Sequence, residues 1–463
     1  MPPLPRPAPS LSPPLPRRIL LVDADAFFVA VARMVDPEGA GRAALLIVGG
    51  APGSRGVVCS ASYEARQFGV RSAMPIARAL RLCPQAMCVP VPRGACGRKS
   101  REISAVLHRF APIVQGASID EWYLDLSGTE TLYHRAPLAD VAHEIRDAVR
   151  RETGLAVSLG GGTNKLIAKL AVEFGKPKPG SAGTGVFVVA PGDEGSFVRQ
   201  VPLGDIPGVG PRLRDRLSAM RLHTVPDVLA AGRPALERML GERAGRWLLD
   251  RVQGIGSDEV VAREQPKSVS HEDTFHDDVN DDAQLDVELV RLVTRVASDL
   301  RGKALTARTI TVKLKDADFH LRSASRTLDA PVVADRVILG VAHGLLRKLR
   351  TARRTPARLL GVGLSGLSDG ADEVAQLSLF GEAPAPEALE TARDRALATA
   401  VDALRAKFGA GAIVPGQLTG QPTGHQSGQR SAPPSREPPA PNASPAGGAR
   451  PPAPTPGARR SGR

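Results

Sequence analysis

The chain has 463 residues, 42% of them hydrophobic and only 3% aromatic, enough for about three domains whose cores are mostly Leu, Val and Ala. No apolar run reaches the roughly 18 residues that a bilayer span needs. The opening MPPLPRPAPSLSPPLPRR is Pro-rich without an apolar core, so neither a signal nor a transit peptide is expected, and the cytoplasm is the expected compartment. Cys59, Cys83, Cys88 and Cys96 lack metal-ligand spacing and read as reduced thiols. Net charge is +13, which invites a nucleic-acid reading. The ends supply 8 of those 13 charges: residues 1–18 hold three arginines and no acid, and residues 411–463 hold six arginines against Glu437. The remainder is mildly basic, consistent with DNA binding and no proof of it.

Residues 1–17 and 411–463 are Pro, Gly, Ser and Ala with scattered Arg, a composition expected to stay disordered. Arg18–Val22 is an apolar run ending in acids and reads as a buried strand. Helices and short strands then alternate irregularly to about Ala190. Residues 202–253 read as wholly helical, with turns at Pro207-Gly208 and Gly210-Pro211, and Gly254–Pro266 as an interdomain linker. Thr309–Lys315 alternates: Ile310, Val312 and Leu314 face one way, and Thr309, Thr311, Lys313 and Lys315 the other. A helix over 334–350 and a strand over Leu359–Leu367 complete a small α+β domain. Residues 387–408 place Leu389, Leu397, Val401, Leu404 and Phe408 in an amphipathic helix ended by Gly409. No internal repeat is evident.

Two acidic segments stand out. Asp23 ends the strand in ILLVDADAFF, and Asp120 and Glu121 interrupt GASIDEWYLDL. Acids within apolar strands are costly unless compensated, and a bound cation is one compensation. Two carboxylate-bearing strands side by side suit hard metal ions, and a pair of ions about 3.5–4 Å apart can activate a hydroxyl and neutralise a leaving phosphate. Spacing alone leaves the alternative open that these acids cap strands or meet arginines.

The flanking segments VDADAFF, SASYEARQFGVRSAMP, ASIDEWYLDL, NKLIAKLA, IPGVG and KSVSHEDTF, in this order from about Arg18 to Leu367, resemble the Y-family DNA polymerases, specifically the DNA polymerase IV branch. The resemblance implies an α+β, multidomain right-hand fold. Its palm would be 18–26 and 85–172, its fingers 27–84, its helix-hairpin-helix thumb 173–253 and its little finger 267–368, with a clamp-binding region and helix over 369–410. It implies Asp23, Asp120 and Glu121 as ligands of two Mg²⁺ ions, with the Ala24 carbonyl completing one shell. Tyr63, Arg66 and Lys165 would grip the incoming triphosphate. Thr163 would cap a helix beginning at Asn164, setting Lys165 near a helix end that favours anions.

Phe28 matches the steric gate that rejects a ribose 2′-hydroxyl. Phe27 beside it is counted with the nucleotide site, although packing is its more ordinary task. Asp25 is read as structural, and Val57 and Cys59 match residues roofing the templating base. Gly208, Gly210 and Arg212, followed by Arg214 and Arg216, suit phosphate contacts in the thumb. Lys313 and Lys315, with Lys303, Arg308, Arg322 and Arg326, suit the same task in the little finger. Gln376-Leu377-Ser378-Leu379-Phe380 resembles the bacterial sliding-clamp motif, implying a tether that raises local concentration.

The sequence departs from the family at Cys96, which replaces a frequent Tyr, and in the longer KPKPGSAGTG loop. The implied partners are primer-template DNA, deoxynucleoside triphosphates and the clamp, and a monomer is expected. No exonuclease block is seen, so proofreading should be absent. The rival reading is a catalytically silent relative acting as a DNA- and clamp-binding adaptor, which would be expected to lack metal ligands. A metal-dependent nuclease would not explain Phe28 or the phosphate-gripping residues.

Overall fold

The apolar run at the start of the chain forms strand β1, Ile19–Ala24, extending two residues past the expected Val22. It is buried on both faces: Leu20, Val22 and Ala24 join one cluster, and Ile19 and Leu21 another. Alternation with period two turns Asp23 to the side of Ile19 and Leu21. The computed structural model describes residues 16–177, 183–262, 265–369, 390–409 and 411–419.

After β1 come α1 (Phe27–Val35), β2 (Leu46–Gly49), β3 (Val58–Ala61), α2 (Tyr63–Gln67), α3 (Ile76–Leu82) and β4 (Met87–Val89). Next are α4 (Arg93–Leu107), β5 (Ile113–Gly116), β6 (Glu121–Asp125), α5 (Leu138–Thr153), β7 (Val157–Gly162), α6 (Lys165–Gly175) and β8 (Val186–Val188). Among the described residues, the central sheet has the order β5-β6-β1-β7-β8. β1 runs antiparallel to both neighbours, and Asp23 stands opposite Glu121 on one side and Ser158 on the other. α1, α4 and α5 pack on one face of this sheet, and α6 packs on the other. α6 lies so close to β7 that a Cβ at Gly160 would collide with the Ala168 carbonyl. A second sheet, β3-β2-β4, carries α2 and α3 on a core of Ile47, Val58, Ala65, Ile76 and Ala79.

After α7 (Glu194–Val198), the segment 202–253 expected to be wholly helical contains a short turn at Leu203–Asp205, α8 (Pro211–Ala219), α9 (Val225–Leu240) and α10 (Glu242–Val252). The expected turn at Pro207–Pro211 is present: Gly208 has φ 100°, and a Cβ there would strike the Trp247 ring. Gly210 precedes α8, whose first residue is Pro211, a position where a missing N–H costs nothing. Residues 254–262 are not a free linker. Val260 is buried against Ile19 and Leu21, and the Ser257 carbonyl accepts the Lys165 N–H at 2.9 Å.

The alternating segment lies in the last sheet, formed by β9 (Ser268–Val279), β10 (Leu305–Asp316), β11 (Leu321–Val332) and β12 (Ala357–Asp369) in the order β11-β10-β12-β9. α11 (Asp282–Gly302) and α12 (Asp335–Ala352) cover the face carrying Ile310, Val312 and Leu314. On the other face Thr309 bonds Thr327 at 2.9 Å and Thr311 bonds Ser325 at 2.8 Å. The amphipathic helix is corrected. It is α13, Ala392–Phe408, begun by a Thr391–Asp394 capping box, and its apolar stripe does not pack: Leu397, Leu404 and Phe408 are exposed. Ion pairs hold it instead, Asp394 to Arg336 at 2.7 Å and Asp402 to Arg301 at 2.6 Å. Leu389 and the Gln376–Phe380 pentapeptide lie outside the described residues. No helix among the described residues is long and apolar enough to cross a membrane.

Candidate active site

β1 ends at a pocket of about 310 Å³ lined by Asp23, Ala24, Asp120, Tyr63, Arg66 and Lys176, with Phe27, Phe28 and Cys59 also on its wall. Backbone pairing brings the acids together: the Ala24 N–H donates to the Asp120 carbonyl at 2.9 Å, and Glu121 is the cross-strand partner of Asp23. Because Asp23 and Glu121 share a face with α6, that helix meets them with lysines. Lys169 Nζ donates to both oxygens of Glu121, at 2.8 and 2.9 Å. Lys176 Nζ lies 3.1 Å from Asp23 and 2.6 Å from Glu173. The Ser118 hydroxyl donates to Asp120.

Burial is what makes these groups unusual. It pushes the Asp23 carboxyl up to about 7, although the Lys176 ammonium pulls the other way. Burial also opposes the charge on Lys176, but Asp23 and Glu173 outweigh it and hold that ammonium above its ordinary value. Asp25, which also lines the pocket, is likewise raised by burial, and its Oδ1 accepts the Ser158 hydroxyl at 2.8 Å.

The chain reverses from β1 into α1 through Ala26, which sits in the left-handed region at φ 45°. That turn delivers two rings to different tasks. Phe27 is buried in the core, whereas Phe28 is half-buried and packs edge-on against it at 5.5 Å. Tyr63 and Arg66 come from α2, whose buried Ser62 accepts the Ala65 N–H and so fixes the first turn. The Arg66 guanidinium lies over the Tyr63 ring at 5.2 Å and donates to the Ala61 carbonyl at 2.9 Å. Cys59 is exposed on the pocket wall, and Val57, two residues earlier in the chain, is also exposed. Cys96 is buried in the core below, its thiol pushed up to about 11 by burial, and it does not line the pocket.

Lys165 is placed elsewhere. It is not on the pocket wall; its Nζ lies 5.3 Å from the Tyr123 ring centre. The reason is strand direction. β7 starts at Val157 beside Ala24, at the pocket end of β1, and finishes at Gly162 beside Ile19. α6 therefore begins at the far end and returns, so its C-terminal flank, Lys176, reaches the pocket. The helix cap is also corrected: Asn164 accepts the Ile167 N–H at 3.0 Å, while the Thr163 hydroxyl donates to Glu194 at 2.6 Å. Lys176 was missed by the motif reading; the signal for it was the Lys-Pro pair directly after the helix.

Elsewhere, Arg212 and Arg214 are exposed on α8, while Arg216 donates to the Met239 carbonyl at 2.6 Å. Lys313 and Lys315 lie on the uncovered face of β10, Lys313 paired with Glu272 at 2.8 Å. Arg322 does not belong to that face. It binds buried Asp316 at 2.7 Å and the Leu349 carbonyl, a structural arrangement.

The donor set suits a hard divalent cation: Asp23 and Asp120 offer carboxylate oxygens on the pocket wall, Glu121 stands off that wall with both oxygens held by Lys169, and the burial that raises Asp23 is the penalty a dication would relieve. As they stand, no three His, Cys, Asp or Glu residues among the described ones are gathered closely enough to hold a metal ion.

Known proteins are similar to most of this chain. The impB/mucB/samB family model matches residues 22–173, and the model of that family's C-terminal domain matches residues 266–379. A DNA polymerase IV of Xanthomonas euvesicatoria pv. vesicatoria is 37% identical over 368 residues, covering 80% of this chain and 99% of that protein. A DNA polymerase IV of Halorhodospira halophila is 39% identical, covering 76% and 95%. Among solved structures, a Y-family DNA polymerase chimera of Dbh and Dpo4 superposes with TM-score 0.65 at 26% identity, covering 75% of this chain and 98% of that one. An insertion ternary complex of Dbh DNA polymerase does so with TM-score 0.54 at the same identity and coverage. The chain belongs to the Y-family DNA polymerases, in the DNA polymerase IV branch of the impB/mucB/samB family, and is a DNA-directed DNA polymerase.

Proposed function

We propose that this translesion-type polymerase adds deoxynucleotides to a primer 3′-hydroxyl at the pocket closing β1, with Asp23, Asp120, Glu121 and the Ala24 carbonyl holding two Mg²⁺ ions. The observation that supports this most is that Asp23 and Asp120 line one pocket with Tyr63, Arg66 and Lys176, while Glu121, the cross-strand partner of Asp23, stands just off its wall. When bound, the metal ions would lower the barrier to attack by the 3′-hydroxyl and neutralise charge on the leaving pyrophosphate.

The chain's own groups do the rest. A triphosphate carries about four negative charges. Arg66 and Lys176 supply two cations, and the Tyr63 hydroxyl a further donor. The Tyr63 ring is steadied by the Arg66 guanidinium above it. Phe28, braced edge-on by buried Phe27, presents a ring where a ribose 2′-hydroxyl would collide. Lys165 is replaced in this proposal by Lys176 on the geometry of α6.

In domain terms, the central sheet is the palm, the β3-β2-β4 sheet the fingers, α7 to α10 the thumb, and the last sheet with α11 and α12 the little finger. Gly208, Gly210 and Arg212 in the thumb, and Lys313 and Lys315 in the little finger, would hold the primer-template backbone. The pentapeptide Gln376–Phe380 would tether the enzyme, working as a monomer in the cytoplasm, to a sliding clamp. Low fidelity and absence of proofreading belong to the same proposal.

Primer extension with Mg²⁺ and the four deoxynucleoside triphosphates tests the central reading. Template-directed extension by the full chain is expected, and none would promote the adaptor reading instead. Deleting Gln376–Phe380 should spare basal synthesis and abolish stimulation by the clamp; equal stimulation would refute the tether.

A further inference from the structure

Glu121 and Lys169 form a two-point pair, with Nζ 2.8 and 2.9 Å from the two carboxylate oxygens. Neither residue lines the nucleotide pocket. The helix that carries Lys169 is fixed at several places. Asn164 caps it and also donates to the Gly254 carbonyl at 2.9 Å, the Lys165 N–H is held by Ser257, and Gly160 lets it sit directly on β7. The ammonium is thus delivered to Glu121 by a rigid element, in a half-buried setting where solvent screens it only in part.

We infer that Lys169 is a built-in counter-ion for Glu121, occupying that carboxylate until a divalent cation takes it and so setting how tightly the site binds metal. The inference rests on the proposed role of Glu121 as a metal ligand. Asp23 and Glu121 are only partly exposed on the α6 side of the sheet, and each meets one lysine there. The two lysines differ in what else they meet. Lys176 sits on the pocket wall and also pairs with Glu173, so its charge is available to a nucleotide. Lys169 reaches Glu121 from outside the pocket, so its effect falls on metal affinity and not on nucleotide affinity. A carboxylate that gives both oxygens to an ammonium must release at least one to bind a metal ion. Removing the ammonium removes both a competitor and a like charge.

The test is a Mn²⁺ titration of the full chain without DNA or nucleotide, read by electron paramagnetic resonance and repeated with Mg²⁺ as competitor. Lys169→Met should bind Mn²⁺ about fivefold more tightly than wild type, the scale of a partly exposed ion pair, and Lys169→Arg should bind like wild type. In a Glu121→Gln background, Lys169→Met should have no effect. Thermal unfolding of each variant identifies any that is misfolded, and Lys169→Gln then serves as the second neutral variant. Unchanged or weaker binding by the folded neutral variants would overturn the inference, as would equal tightening in the Glu121→Gln background. If Glu121→Gln alone leaves Mn²⁺ affinity unchanged, the ligand assignment itself fails. If it weakens binding while Lys169→Met does nothing, only the counter-ion role fails.

Discussion

In the central sheet, β1 buries Ile19, Leu20, Leu21 and Val22 on both faces and carries Asp23 at one end, opposite Glu121. In the last sheet, β10 buries Ile310, Val312 and Leu314 under two helices and leaves Thr309, Thr311, Lys313 and Lys315 uncovered. The first arrangement holds few charged groups where water screens them poorly, so each has a partner on α6 and each should matter singly. The second spreads charge over a solvated face, where single groups are worth little and the sum provides the grip. Substitutions in the two sheets should therefore differ in size and in kind.

The widest separation is expected at the pocket wall. Phe28→Ala should cut discrimination against ribonucleotides by on the order of 100-fold, as the loss of a steric block does, in single-nucleotide insertion assays. Unchanged sugar discrimination would mean that the ring only packs against Phe27. Next, Lys176→Ala should raise the KM for the incoming nucleotide by about 10- to 100-fold, the value of a charge-assisted contact. Lys165→Ala should change it by less than about twofold, since its ammonium lies over Tyr123. Equal effects at the two positions would return the phosphate contact to the start of α6.

A stability measurement follows. The Asp23 carboxyl is raised from 3.8 to about 7 in the folded protein, while the unfolded chain titrates near 3.9. Between those values the folded state holds the proton more firmly than the unfolded state does. The metal-free protein should therefore lose stability as pH rises from about 4 to about 7, with the full cost present above 7. Urea unfolding in EDTA at pH 5 and pH 8 should show this loss in wild type and a much smaller one in Asp23→Asn. The smallest effects belong to the last sheet. Lys313→Ala or Lys315→Ala should each weaken DNA binding by a few-fold and lower the salt slope by about one. A loss as large as that at Lys176 would contradict the summed-face description.

The fold was readable where periodicity was simple. Alternation over Thr309–Lys315 gave the β10 face correctly because one side of that strand is covered and the other is not. The apolar run before Asp23 gave β1, and the Pro207–Pro211 turn was visible in its glycines. What failed needed three-dimensional direction. Lys165 stands in a conspicuous motif, but which end of α6 meets the pocket depends on the β1–β7 register, which no local pattern contains. Arg322 counted as a surface cation until buried Asp316 claimed it. The apolar positions of α13 suggested packing, yet its acids do the docking, through Arg301 and Arg336.

If Asp120 and Glu121 work with Asp23 as one centre for nucleotide transfer, single-turnover insertion by an Asp120→Asn, Glu121→Gln double variant, on DNA it still binds, will collapse. A fall of at least about 1,000-fold in the insertion rate with DNA affinity unchanged is the expected result. Insertion within about tenfold of wild type would contradict it.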